Sequence, residues 1–200
     1  MTPTTGLAPP AEAAAGETPM AATAVGLTKI YGSGATRVVA LDHVEVGLRA
    51  QRLTAIMGPS GSGKSTLLHC MAGLDTVTEG DVRIGETQIS QLSDKQLTLL
   101  RRRRLGFIFQ AFNLVPTLTA EENILLPLRL GGREPDQEWE QSVIDSLQLD
   151  QRLRHRPSEL SGGQQQRVAV ARALVTRPDI IFADEPTGNL DSKAGGEVLG

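Results

Sequence analysis

Gly58-Pro59-Ser60-Gly61-Ser62-Gly63-Lys64-Ser65 satisfies the pattern G-x-x-x-x-G-K-[ST] at every fixed position. It follows the apolar run Leu53-Thr54-Ala55-Ile56-Met57 and precedes a helical stretch over 64–72, the context that this pattern requires. Glycines let backbone N–H groups turn toward one point. The helix start adds its positive end and Lys64 a full charge, a set that suits the β- and γ-phosphates of a nucleotide. Ser65 offers a hydroxyl to Mg²⁺, a hard cation that takes oxygen ligands, and Thr66 closes the cradle. The competing reading is a Gly/Ser turn that matches by accident.

Further on, Ile180-Ile181-Phe182-Ala183-Asp184-Glu185 places two carboxylates at the end of an apolar run, where the ligands of open α/β sheets bind. Asp184 is placed to hold Mg²⁺ and Glu185 to orient and deprotonate an attacking water. Phosphoryl transfer needs both, because it depends on positioning and on neutralising charge. Leu160-Ser161-Gly162-Gly163-Gln164-Gln165 opens another helix with small residues and presents N–H groups to an anion. Ser161 is equally a good helix cap. With one cradle already complete, the second anion-facing start is most economically assigned to the nucleotide of a twin subunit in a two-fold dimer.

The elements that must hold these groups alternate. Short strands are expected at 38–41, 44–48, 53–57, 81–84, 107–109 and 180–183. Helices are expected at 64–72 (ended by Gly73), through Leu92, Leu97 and Leu100, and over 163–176, stopped by Arg177-Pro178. A helical region over 119–149, interrupted by Pro127 and Pro135, reads as an inserted subdomain. The alternation predicts an α/β fold.

Two hundred residues suit one domain with a tail. Residues 1–28 carry no Lys or Arg, and the Ala/Pro/Thr-rich start is expected to be a disordered tail over 1–23 rather than a secretion signal. The balance of 20 Lys+Arg against 23 Asp+Glu argues against a nucleic-acid partner. The single Cys70 excludes an internal disulfide framework and is simplest as a small buried residue. Arg101-Arg102-Arg103-Arg104 reads as a solvated helix end, and Trp139 as core packing on a helix face. No apolar run is long enough to span a bilayer, so any span belongs to another chain.

The three motifs, in this order, closely resemble the ATP-binding cassette (ABC) family of ATPases over residues 24–195. Within it, Gly106-Phe107-Ile108-Phe109-Gln110-Ala111-Phe112-Asn113-Leu114, Leu118-Thr119-Ala120-Glu121-Glu122-Asn123 and Asp184-Glu185-Pro186-Thr187-Gly188-Asn189-Leu190-Asp191 resemble the subunits that energise macrolide-export, lipoprotein-release and cell-division permeases. The resemblance implies a P-loop ATPase core of mixed sheet over 24–110 and 161–200, with a helical subdomain over 111–160. It implies ATP and Mg²⁺ as ligands, with Lys64, Gln110 and Glu185 catalytic. Ser65, Gln110 and Asp184 would serve the metal. Tyr31 would stack on adenine, and Asp191 would cross the interface of a homodimer. It further implies an integral membrane permease as partner, at the cytoplasmic face of the plasma membrane. The family also carries a γ-phosphate histidine on a later strand; that position falls past Gly200, and His43, His69 and His155 all precede Asp184. The expectation is a core without its C-terminal part. Two other readings stay open at this point: a soluble, non-transport cassette ATPase, and a nucleotide-binding module without full turnover.

Overall fold

The computed structural model describes residues 19–184. Four strands form one antiparallel sheet in the order β2-β1-β3-β4: β1 (Met20–Tyr31), β2 (Val38–Arg49), β3 (Glu79–Ile84) and β4 (Thr87–Gln88). A second, parallel pair joins β5 (Leu105–Ile108) to β6 (Ile180–Ala183). Five helices complete the described chain: α1 (Lys64–Met71), α2 (Asp94–Arg104), α3 (Ala120–Leu130), α4 (Gln137–Ser146) and α5 (Gly162–Leu174).

Two cores result. Leu27, Leu41, Met71, Val82, Ile84 and Phe182 belong to the first, between the antiparallel sheet, α1 and the parallel pair. Ile124, Leu128, Val143, Ile144, Leu149 and Val168 belong to the second, among α3, α4 and α5. Helix α5 bridges the two. Its Val168 and Ala171 face the helical core, while a Cβ on Gly106 of β5 would lie only 2.8 Å from the Ala173 carbonyl oxygen. Trp139 packs in the helical core as expected and donates its ring N–H to the Leu174 carbonyl at 3.0 Å.

Several expectations need correction. β1 is a full central strand that begins at Met20, so the expected tail of 1–23 is too long by its last residues. Its inward positions include Ala22 and Ala24, both 1% exposed; small, weakly β-favouring residues hid the alternation. The two expected strands at 38–41 and 44–48 are one, with His43 at φ 48° where the pairing slips. The buried strand expected at 53–57 is not formed. Among the described residues no strand pairs with it, and Leu53 and Met57 are 91% and 89% exposed; only Ile56 packs on the core. Pro127 does not break α3 but lies inside it. The arginine run is only half solvated: Arg101 donates to the Gly73 carbonyl at 3.0 Å, and Arg104 pairs with Asp179 at 2.5 Å beside β6.

The 118–123 motif has a structural explanation. Thr119 and Glu122 form a capping box at the start of α3. Asn123 is fully buried; its Oδ1 accepts the Val115 N–H at 2.7 Å, and its Nδ2 donates to the carbonyls of Val115, Leu118 and Thr119 at 3.1, 3.3 and 2.9 Å. This one amide pins the loop that enters the helical subdomain. Asn123→Ala would strand those backbone groups and should destabilise by about 3 kcal/mol, read as a lower urea midpoint at unchanged slope. A loss below about 1 kcal/mol would mean that the loop is held by something else.

Candidate nucleotide site

The phosphate loop passes directly into α1 through Gly63, whose φ is 86°. A Cβ there would lie 2.6 Å from the Ala40 carbonyl oxygen of β2, so both backbone conformation and close approach require glycine. Gly61 also takes a positive φ, 78°. Gly58, Pro59, Ser60, Gly61 and Ser62 are exposed, while Gly63, Lys64, Ser65 and Thr66 are half-buried at the helix start. Lys64 folds back over the loop, donating to the carbonyls of Gly58 at 3.0 Å and Pro59 at 2.8 Å. The ammonium is thereby held at the mouth of the cradle. The positive end of α1 and this cation fit a polyphosphate.

The two motifs meet. Ser65 donates its hydroxyl to Asp184 Oδ1 at 2.9 Å, across 119 residues of chain. Asp184 is aimed by strand geometry: β6 pairs with β5 in parallel, Ile108 opposite Ala183, and the Asp184 N–H donates to the Ile108 carbonyl at 3.0 Å. Gln110 leaves β5 at that same end as an exposed turn residue. A serine hydroxyl and a carboxylate side by side are a suitable oxygen pair for Mg²⁺, whose other positions are commonly filled by water and phosphate oxygens. Glu185 and Asp191 lie outside the described residues.

His69 also belongs here. One turn beyond Ser65 on α1, its Nε2 lies 3.7 Å from Asp184 Oδ2. The i, i+4 spacing of Ser65 and His69 was the available signal. Cys70, next on the helix, is 1% exposed, as expected, and burial pushes its thiol up to about 11, so it stays protonated at neutral pH.

Ser161 caps α5: its Oγ accepts the Gln164 N–H at 3.3 Å, and Gln164 Oε1 accepts the Ser161 N–H at 2.9 Å. The cap role is thus realised within one copy, while Ser161 and Gly162 remain exposed, with Gly163 and Gln164 half-buried behind them. Sequence reasoning missed Arg172 on the same helix. It donates to the carbonyls of Phe112 at 2.7 Å and Asn113 at 2.6 Å, two left-handed residues just after Gln110. Burial lowers its pKa, yet a guanidinium remains charged. No motif flags it, because carbonyl acceptors leave no trace in a list of side chains.

Tyr31 closes β1, half out in solvent at 42% exposed. Its hydroxyl donates to Asp75 Oδ2 at 2.6 Å.

A lysine-bearing glycine loop opening a helix, bonded through its serine to the carboxylate at the end of a parallel strand, defines a P-loop nucleotide-binding domain. The family model for "ABC transporter" matches residues 41–188. An ABC transporter ATP-binding protein of Methanocaldococcus jannaschii, MJ1508, is 48% identical over 86% of this chain and 77% of its own. The lipoprotein-releasing system ATP-binding protein LolD of Xanthomonas euvesicatoria is 44% identical over 93% of this chain and 79% of its own. The macrolide export ATP-binding/permease protein MacB of Bdellovibrio bacteriovorus is 45% identical over 87% of this chain but 27% of its own. Among solved structures, the ATP-binding cassette MJ0796, a dimer in a post-hydrolysis state bound to ADP and Pi, superposes with a TM-score of 0.80 at 43% identity, covering 89% of this chain and 79% of that one. The chain belongs to the ABC transporter family and has the P-loop ATPase fold of its ATP-binding domain.

Proposed function

We propose that the chain is the ATP-hydrolysing subunit of a transporter, driving a membrane permease through ATP-dependent closure of a homodimer. The observation that carries the reading is the Ser65–Asp184 hydrogen bond of 2.9 Å, which joins cradle and strand end into one site. Gly58, Pro59, Ser60, Gly61, Ser62, Gly63, Lys64, Ser65 and Thr66 hold the triphosphate, and Tyr31 stacks on the base. Ser65, Asp184 and Gln110 hold Mg²⁺, which supplies charge neutralisation at the phosphates. Glu185 positions and deprotonates water. Ser161, Gly162, Gly163 and Gln164 of one copy face the γ-phosphate held by the other, with Asp191 crossing the interface.

ATP favours closure only through its higher affinity for the closed pair. Loss of γ-phosphate charge contact then reopens it. Arg172 ties the serine-headed helix to the loop after Gln110, so a displacement at either is passed to the other. Beside that loop lies a groove of about 280 Å³, floored by Phe107, Phe109, Leu126 and Leu130, and suited to receive a permease element. The likeness to LolD and MacB supports transport coupling, and the dimeric MJ0796 supports pairing. Among the described residues no helix is long and apolar enough to cross a membrane. The permease supplies the span, and the subunit sits on its cytoplasmic side at the plasma membrane.

Mixing two inactive variants tests action across the dimer. A heterodimer of a Ser161→Ala copy and a Glu185→Gln copy contains one site with both groups intact, if Ser161 serves its partner's nucleotide. The mixture should regain up to about a quarter of wild-type turnover, given random pairing and independent sites. If each copy uses its own Ser161, both sites stay defective and no activity returns.

A further inference from the structure

Lys29 is 6% exposed, yet its ammonium is fully engaged: it donates to Asp75 Oδ1 at 2.7 Å, to the Thr76 carbonyl at 2.6 Å and to Thr76 Oγ1 at 3.4 Å. The same ammonium lies 4.8 Å from the centre of the Tyr31 ring, within cation–π range. Asp75 uses its other oxygen for the Tyr31 hydroxyl, at 2.6 Å. Asp75 is itself fixed to the end of α1, its N–H donating to the His69 carbonyl at 3.2 Å. At the start of α1, Thr66 approaches the Tyr31 hydroxyl. An exposed aromatic side chain is therefore tied at its tip to Asp75 and along one face to Lys29, and Asp75 links both to the far end of the helix that begins in the phosphate loop.

We infer that Lys29 and Asp75 are positioning residues for Tyr31, a bracket that holds its ring at a set height and angle over the cradle so that a purine base meets a pre-ordered platform. This deepens the proposed function and rests on its assignment of Tyr31 to the base. Burial acts to raise the Asp75 pKa, but the hydrogen bonds from Lys29 and Tyr31 outweigh it and hold the carboxyl below its ordinary value. The Asp75 bond in turn raises the Tyr31 phenol above its ordinary value. Both directions mean that at neutral pH the bracket consists of a carboxylate and an intact hydroxyl. Ordering a free side chain on binding costs affinity; a ring already ordered avoids most of that cost.

The test compares Mg-ATP with inorganic tripolyphosphate, which lacks the base, by equilibrium titration of the full protein. Tyr31→Ala should weaken ATP about tenfold or more and leave tripolyphosphate unchanged. Tyr31→Phe keeps the stacking face but loses the tie; it should weaken ATP about three- to tenfold, again with tripolyphosphate unchanged. Asp75→Asn should do likewise, and combining it with Tyr31→Phe should add little, because both cut one link. Since Tyr31 is exposed, the Phe variant tests the idea even if Asp75→Asn, facing a buried lysine, folds poorly. If Tyr31→Ala binds ATP like wild type, the base-stacking assignment fails. If Ala weakens ATP while Phe does not, stacking stands and the bracket is overturned. Equal losses for tripolyphosphate would overturn it too, by showing a merely structural role, as would tighter ATP binding by Tyr31→Phe.

Discussion

Lys64→Ala should abolish nucleotide binding. The ammonium is the one full positive charge that the loop motif itself carries, and it is held over the mouth by the Gly58 and Pro59 carbonyls. Because it is already placed, little ordering is needed when a polyphosphate arrives. At about 4 Å and an effective dielectric near 20, one charge pair is worth about 4 kcal/mol, or nearly 10³-fold in affinity. The truncated side chain also frees two carbonyls that then face an anion without a cation between them. Titration with Mg-ATP is the measurement. An affinity equal to wild type would remove Lys64, and with it the cradle, from the proposed function.

Glu185→Gln acts on a different step. In the sequence the residue directly follows Asp184, whose carboxylate meets Ser65. Gln keeps the size and can still hydrogen-bond water, but it cannot accept a proton. Hydrolysis should fall by about 10²–10⁴, the range for loss of a general base, while ATP affinity stays intact. Single-turnover phosphate release separates this from a binding defect. Turnover at the wild-type rate would take Glu185 out of the role. Together the two expected results would divide the proposed site, with Lys64 assigned to binding and Glu185 to chemistry.

Much of this site was legible because its parts are local. A glycine loop that opens a helix must be contiguous, since consecutive N–H groups surround one anion; Gly58 to Thr66 could be read from the chain alone. The same holds for Ser161 at the head of α5 and for Asp184 at the end of an apolar run. Elements whose identity depends on neighbours were less legible. β1 is central in its sheet, yet its alanines carry weak strand preference, and only pairing with β2 and β3 makes it a strand. The run 53–57 is the reverse case: strong strand character, but no ladder beside it among the described residues. Pro127 persists within α3 because the packing of Ile124, Leu125 and Leu128 outweighs one missing hydrogen bond.

The amino-acid order alone determined the chemistry on offer, since a glycine loop that opens a helix and an apolar run that leads into a carboxylate are each encoded within a few adjacent residues. Only the tertiary structure decided which groups work on one another. Ser65 and Asp184 meet across 119 residues, His69 joins them from one helical turn away, Arg172 grips the loop after Gln110, and Asp75 takes the Tyr31 hydroxyl. Such pairings depend on how strands and helices stack in space, and hydrogen bonds to carbonyl groups in particular favour no residue type that a reader of the chain could recognise.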